Sequence, residues 1–239
     1  MSILCAKQGG VVTITLNRPE SRNALDLEMC QGLLDAAQAA AADASVRLVL
    51  VRGAGAVFCA GADLKERQGM SEAQTRERRL KAFAAYAALE ALPMPAVAVV
   101  TGAAVGSGVE IAGACDFIVA TPEAWFATPE AVRGTVGATQ RLPRVLGLRL
   151  AKDLMFTGRR LPAEEAMRHG LVSRIVPAAE LEKELAAMAS TICGAPPKAL
   201  AFAKRCLDGA ELAARAAALQ VEMDAIDEQL KQGGGLGKP

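Results

Sequence analysis

The strongest structural signal in the chain is the sequence Ala96-Val97-Ala98-Val99-Val100-Thr101-Gly102-Ala103-Ala104-Val105-Gly106-Ser107-Gly108-Val109-Glu110. Its apolar start predicts a buried strand over 96–100, its glycines predict a tight turn, and the apolar run 109–115 predicts a short helix. A glycine turn that opens a helix directs several backbone N–H groups at one point, where the helix dipole is positive. This geometry predicts a site for negative charge, either bound or developing in a transition state. Glu110 falls in the first helical turn, so a carboxylate would share the pocket with the amide donors.

Length and composition limit the class of protein. The 239 residues suffice for one large domain, and because 52 % are apolar but only 3 % aromatic, its core must consist of aliphatic side chains. Lys and Arg total 27 against 26 Asp and Glu, a balance that argues against a nucleic-acid partner. No apolar run is long enough to span a membrane, and residues 1–5 lack the basic start of a secretory signal. We therefore expect a cytoplasmic protein without a membrane partner.

The cysteines and the single histidine do not indicate a metal site. The six cysteines have no C-x-x-C spacing, and His169 alone cannot complete a histidine-rich ligand set. We expect reduced, mostly buried thiols and no bound metal. His169 precedes Gly170 at a predicted helix end, where a histidine commonly caps the last carbonyls.

The order of apolar patterns predicts an α/β core followed by helices. Helices are predicted over 25–42 and 71–92, and the arginines of 76–81 are interpreted as a solvated face of the second. Strands are predicted at 3–7, 11–16, 46–52, 96–100, 116–120, 124–127 and 172–176. We expect the core to occupy residues 1–178 and a helical region to occupy 179–239, with three helices over 180–232 and a disordered glycine-rich tail.

Two further segments carry candidate chemistry. Residues 58–64 form a small-residue turn after a buried strand, where backbone amides can approach a ligand closely. Within it, Asp63 is a candidate N-cap of a following helix. Residues 125–130 end a strand-like run with a second acid, Glu130.

Taken in order, these segments resemble the enoyl-CoA hydratase/isomerase (crotonase) family from about residue 10 to residue 205. The matching motifs are Asn17-Arg18-Pro19 with Asn23-Ala24-Leu25, the turn 60–64, the stretch 102–116, Pro129-Glu130, Thr139-Gln140-Arg141-Leu142 and the run Gly158…Gly170-Leu171-Val172. The resemblance implies a crotonase-like spiral of ββα units with a helical C-terminal oligomerisation region. It also implies a homotrimer or a dimer of trimers.

The same resemblance implies a coenzyme A thioester substrate of fatty acid metabolism, with coenzyme A as part of the substrate and no permanently bound cofactor. By motif matching, the backbone amides of Ala62 and Ser107 form an oxyanion hole for the thioester carbonyl. Ser107 stands where the family usually has glycine, and a serine keeps the N–H donor. The turn residues Ala60, Asp63, Leu64 and Gly106 are then substrate-binding candidates.

Retention of two acids, Glu110 and Glu130, implies an enoyl-CoA hydratase. Adding water to a conjugated double bond needs a base that activates water at Cβ and an acid that protonates Cα. Under this resemblance, Glu110 is the base and Glu130 is the proton donor. The residues are compatible with these roles, because a helix N-terminus favours a carboxylate at Glu110 and the neighbours Pro129, Ala131 and Val132 favour desolvation of Glu130. Arg22 and Lys65 are candidates for the coenzyme A phosphates.

Alternatives remain open at this stage. The same fold supports an enoyl-CoA isomerase or another acyl-CoA lyase or hydrolase. Ser107 followed by Asp116 or Asp153 and by His169 has the residue order of a serine hydrolase, although G-x-S-x-G is absent. The short loop 133–138 and the glycine-rich end of the chain depart from the family pattern and keep a non-catalytic acyl-CoA-binding protein in view.

Overall fold

The computed structural model describes residues 1–209, 220, 223–224 and 227. The strands are β1 (Ile3–Gln8), β2 (Val11–Leu16), β3 (Leu48–Gly53), β4 (Val57–Cys59), β5 (Ala96–Val100), β6 (Ala103–Val105), β7 (Phe117–Ala120), β8 (Trp125–Ala127), β9 (Leu161–Pro162) and β10 (Arg174–Ile175). The α-helices are α1 (Leu27–Ala42), α2 (Leu64–Arg67), α3 (Glu72–Glu90), α4 (Ser107–Gly113), α5 (Arg141–Leu146), α6 (Leu148–Thr157), α7 (Ala163–Arg168), α8 (Leu181–Gly194) and α9 (Pro197–Gly209). Short 3-10 helices lie at Pro19–Ser21 and Ala131–Arg133.

The strands form two sheets that the chain visits alternately. Within the described ranges, one sheet has the order β1-β2-β3-β5-β7-β10 and the other the order β4-β6-β8-β9. The first strand of each successive pair lies in the larger sheet and the second in the smaller sheet, and a helix follows, as in β3–β4, β5–β6 and β7–β8. Apart from the outer pairs β1–β2 and β8–β9, neighbouring strands run parallel. The chain therefore winds as a spiral of ββα units.

The central strands of the larger sheet are buried on both faces, which explains their unbroken apolar runs. On one face, Val49, Val51, Ala96 and Ala98 join the main core, which also contains the buried sides of α1, α3 and α4. On the other face, a second core joins residues of β3, β5 and β7 to the apolar side of α8, namely Leu48, Leu50, Val97, Val99, Val119, Leu181, Leu185 and Met188. Period-2 alternation thus divides each strand between two cores.

Most predicted elements match the structure within a few residues, and the exceptions are short. The strands β4, β6 and β9 were not predicted, because two or three residues of small or mixed type carry no periodic signal. Helix α2 was likewise missed, although its N-cap, Asp63, was predicted and is confirmed by bonds from the amides of Lys65 and Glu66. The third helix predicted before residue 232 and the tail lie outside the described residues, and the 178/179 boundary stays a prediction.

Two predictions from side-chain type need correction. The arginine-rich face of α3 is not wholly solvated: Arg78 is buried, and Arg79 is half-buried against the loop that follows Glu130. Of the cysteines, Cys30, Cys59 and Cys115 are buried, whereas Cys5 and Cys206 are exposed. In the part of the chain that the structure covers, no helix is long and apolar enough to cross a membrane.

Candidate active site

The glycine turn is built by close approach of two backbone segments. Gly106 joins β6 to α4 at φ +51°, a conformation that favours glycine, and its amide donates to the carbonyl of Ala127 over 2.9 Å. A side chain at Gly108 would collide with Cys59, since its Cβ would lie 2.5 Å from the Cys59 carbonyl oxygen. The start of α4 is therefore pressed against the end of β4, at the turn that follows Cys59.

That second turn is held by the segment before α1. The amide of Leu25 donates to Gly61 O at 2.8 Å, and the amide of Asp63 donates to Leu25 O at 2.9 Å. Gly61 has φ +99°, and a Cβ on it would lie 3.1 Å from Val105 O and 4.0 Å from Ser107 N. The two glycine turns are thus in contact.

Buried Asn23 holds the loop between β3 and β4, which precedes this turn. It adopts φ +53°, accepts a hydrogen bond from the Arg18 amide at 2.9 Å, and donates to the carbonyls of Ala54 and Val57 at 2.9 and 2.6 Å. An asparagine tolerates this left-handed conformation better than most residues. Asn23 therefore links the segment before α1 to both ends of the loop between β3 and β4.

The backbone amides of Ala62 and Ser107 lie where these turns meet. Neither amide donates to an acceptor among the residues that the structure describes. Both residues line one cavity of about 70 Å³, together with Glu110 and Glu130. Two unused donors beside a cavity are the geometry that stabilises negative charge on a carbonyl oxygen.

Glu110 is a buried carboxylate with a cationic partner. It lies in the first turn of α4, its side chain is 5 % exposed, and it accepts a hydrogen bond from Arg141 Nη1. Arg141 also contacts Glu90 at 3.0 Å and stacks over the ring of Tyr86 at 5.6 Å. A contacting guanidinium favours the charged form of the carboxyl group.

Glu130 has a different environment. It follows β8, and its Oε2 is buried with no hydrogen-bond partner among the described residues. Burial, followed by the nearby charge of Glu110, raises the pKa of Glu130 to about 7. A Cβ on Gly106 would overlap with Glu130 Oε1, so the glycine turn also makes room for this acid. One cavity thus holds a paired acid and an acid that retains its proton near neutral pH.

The sequence patterns missed several residues of this cavity. Arg141 lies in the motif 139–142, but the sequence alone assigns it no role, because its contact with Glu110 joins positions 31 residues apart. Tyr86 on α3 interacts with the Ser107 side chain, and burial raises the pKa of its hydroxyl well above the ordinary value. The cavity walls also include Arg67, Thr75, Arg78, Arg79, Ala82, Phe83 and residues 135–138. The helical spacing of α3 could have indicated only those that lie on that helix.

The remaining binding candidates lie elsewhere around the two turns. Asp63 caps α2 and pairs with Arg18 at 2.9 Å, which is a structural role. Leu64 and Lys65 are exposed at the start of α2. Ala60 and Arg22 line a second cleft, of about 840 Å³. Trp125, Arg133 and Arg160 share that cleft.

The residues of a serine-hydrolase triad are not brought together. Asp116 binds the amide of Ala96 and Lys204, and Asp153 binds Arg159. His169 is exposed at the end of α7, where its amide donates to Glu165 O. None of the three lines the cavity that contains Ser107. No group of three or more His, Cys, Asp and Glu residues suited to a metal ion occurs in the described part of the chain.

A spiral of ββα units with two abutting turns and two acids in one cavity defines an α/β enzyme of the crotonase class. A model of the enoyl-CoA hydratase/isomerase family matches residues 6–233. The chain belongs to that family.

Relatives and solved structures agree with this assignment. The chain is 36 % identical to the putative enoyl-CoA hydratase/isomerase YngF of Bacillus subtilis over 95 % of its own length and 89 % of that protein. It is 37 % identical to the probable enoyl-CoA hydratase 2, mitochondrial, of Arabidopsis thaliana, over 92 % and 74 %. It matches the crystal structure of an enoyl-CoA hydratase/isomerase from Xanthobacter autotrophicus Py2 with TM-score 0.92 and 35 % identity, over 99 % of this chain and 89 % of that one.

Proposed function

We propose that this protein is an enoyl-CoA hydratase that adds water across the 2,3 double bond of a 2-enoyl-CoA thioester. One observation carries the proposal: Ala62 and Ser107, whose backbone amides have no acceptor among the described residues, line a cavity that also holds an ion-paired carboxylate and a carboxyl group with a pKa of about 7. Hydration needs this combination, since it requires a base, an acid and stabilisation of an oxyanion at the same time.

The chemical step follows from these positions. The thioester oxygen accepts hydrogen bonds from the amides of Ala62 and Ser107, which stabilise the enolate that forms. Glu110, held as a carboxylate by Arg141, takes a proton from water while the water oxygen bonds to Cβ. Glu130, protonated, gives its proton to Cα, and the enolate electrons form the new C–H bond. Proton exchange with solvent restores the starting state of both acids.

The coenzyme A portion is proposed to leave the cavity past the turn that contains Ala60. Two exposed cations flank this turn, Arg22 on the segment before α1 and Lys65 at the start of α2. Both are proposed as partners of the coenzyme A phosphates. Asp63, which caps α2, is proposed to orient that region rather than to contact the thioester.

The test is turnover of crotonyl-CoA, with products identified by mass. We expect the mass of one added water, and a loss of about 100-fold or more in kcat for Glu110→Gln and for Glu130→Gln. Glu164→Gln removes an exposed carboxyl group on α7, outside both the cavity and the second cleft, and should leave the rate unchanged. Wild-type rates in either cavity variant would overturn the assignment of roles.

Ser107→Ala separates this proposal from the hydrolase alternative. The proposed donor is the backbone N–H, so the alanine variant should still hydrate crotonyl-CoA. Loss of turnover in Ser107→Ala, with release of free coenzyme A and normal activity in Glu110→Gln, would instead indicate a serine hydrolase. An isomerised product of unchanged mass from hex-3-enoyl-CoA, without hydration of crotonyl-CoA, would indicate an isomerase.

A further inference from the structure

Three arginines line the cavity alongside the acids: Arg67, Arg78 and Arg79. Arg78 has two partners, since Nε contacts Glu66 Oε2 at 2.7 Å and Nη2 donates to Leu25 O. It ties α3 to α2 and to the segment before α1. Arg79 donates to the carbonyl of Val136 and holds the loop 135–138 against α3. These two arginines have structural roles.

Arg67 differs from these two arginines. It lies at the end of α2 and is half-buried, and no acceptor for its guanidinium is found among the residues that the structure describes. Burial, followed by the neighbouring charge of Arg78, lowers its pKa. A half-buried cation beside another cation is costly unless an anion completes it. Neither Glu110 nor Glu130 contacts it.

The cavity is lined by residues of α3 from Thr75 to Tyr86, and Arg67 and Ser107 line it as well. Tyr86 interacts with Ser107, one of the two proposed oxyanion residues. Arg78, the neighbour of Arg67, precedes Tyr86 by two turns of the same helix, a distance of about 12 Å at 1.5 Å per residue. An acyl group that is anchored by its carbonyl beside Ser107 and extends along α3 therefore points toward the Arg67 guanidinium.

We propose that the acyl group of the substrate ends in a carboxylate and that Arg67 binds this carboxylate. The inference rests on the proposed function, because it takes the thioester carbonyl to lie at Ala62 and Ser107. The guanidinium of Arg67 would offer parallel N–H donors to the carboxylate. The positive field of Arg79 adds to the attraction, whereas an uncharged acyl chain would leave Arg67 without a partner.

The phosphates of coenzyme A also carry oxyanions that an arginine binds, so they are a second candidate partner of Arg67. Ligands that share coenzyme A and differ only at the acyl terminus distinguish the two. Glutaryl-CoA carries the carboxylate, and 5-methylhexanoyl-CoA replaces it with an uncharged group of similar shape. Neither has a double bond, so binding can be measured by calorimetry without turnover.

For the wild-type protein, we expect glutaryl-CoA to bind about tenfold or more tightly than 5-methylhexanoyl-CoA, as for a hydrogen bond to a charged group. Arg67→Met should abolish the preference by weakening glutaryl-CoA alone, and Arg67→Lys should keep part of it. Arg76→Met removes an exposed arginine of α3 outside the cavity, whose partner is Asp227, and should change neither affinity.

Equal affinities in the wild-type protein, or tighter binding of 5-methylhexanoyl-CoA, would overturn the inference. An equal loss for both ligands in Arg67→Met would also overturn it and would place Arg67 on a coenzyme A phosphate. Turnover is tested separately with glutaconyl-CoA and 5-methylhex-2-enoyl-CoA. A binding preference without hydration of either compound, or of crotonyl-CoA, would refute the proposed function but not the carboxylate site.

Discussion

Replacing Glu130 with glutamine should change how the stability of the protein depends on pH. The carboxyl group has an ordinary pKa of 4.5, and burial beside Glu110 raises the pKa to about 7 in the folded protein. The unfolded chain therefore loses this proton at lower pH than the folded protein does. The stabilisation of the folded protein by this bound proton is complete below about pH 4.5 and disappears as the pH rises through about 7.

The size of the effect follows from the two pKa values. Ionising Glu130 in the folded state costs about 3 kcal/mol more than ionising it in the unfolded chain, at about 1.4 kcal/mol for each tenfold step. Glutamine has a similar shape and does not ionise. The unfolding free energy of Glu130→Gln minus that of wild type should therefore rise by about 3 kcal/mol from pH 4 to pH 8.

Urea unfolding of both proteins at pH 4, 6 and 8, at one fixed protein concentration, measures this difference. Glu123→Gln provides the control, because its carboxyl group is exposed, and its difference from wild type should not follow this trend. If the stability difference between Glu130→Gln and wild type stays constant from pH 4 to pH 8, the carboxyl group does not titrate as the structure indicates. Glu130 would then not be a protonated acid near neutral pH.

Three further substitutions test the framework of the site. Arg141→Met should destabilise the protein by about 3 kcal/mol, because Glu110 loses its buried counter-charge. Gly106→Ala should lower kcat for hydration about 100-fold, since a Cβ would displace the carboxyl group of Glu130 from the cavity. Asn23→Ala should cost about 2 kcal/mol of unfolding free energy, because two part-buried carbonyls lose their donor. Urea unfolding and crotonyl-CoA kinetics check these outcomes.

Each of these substitutions has a matched control. Arg52→Met breaks a more exposed ion pair with Glu182 and should cost under about 1 kcal/mol. Gly147→Ala also places an alanine at positive φ outside the left-handed helical region, at φ +75° and ψ 155°, but its Cβ meets no atom within 4 Å. Asn17→Ala removes an exposed hydrogen bond to Met1. If a control loses as much stability or activity as its counterpart, the specific contact is not the cause.

Local pattern was enough to place the elements that form the spiral. The unbroken apolar runs of β3 and β5 and the capped helix α3 follow from neighbours in sequence, and each was predicted close to its observed bounds. The strands β4 and β6 were not, because three residues gain their pairing from strands far along the chain. The trimer implied by the family resemblance stays a prediction.

The candidate site divides in the same way. Asp63 could be recognised as an N-cap because the amides that donate to its carboxylate, those of Lys65 and Glu66, follow directly along the chain. The burial of Arg78 could not, because it depends on Glu66 and Leu25, which belong to other segments of the chain. A helical pattern reports which side chains share a face, but not what packs against that face.

The sequence alone determined that a strand, a glycine turn and an acid meet at residues 96–110, and that a second turn and a second acid accompany them. It did so because turn chemistry and strand burial are properties of adjacent residues. Only the tertiary structure decided that both turns abut, that Arg141 pairs with Glu110, that Glu130 is desolvated and that Arg67 lines the cavity with no acceptor among the described residues. These features depend on distance and dielectric environment between segments that are remote in sequence, and such quantities exist only once the chain is folded.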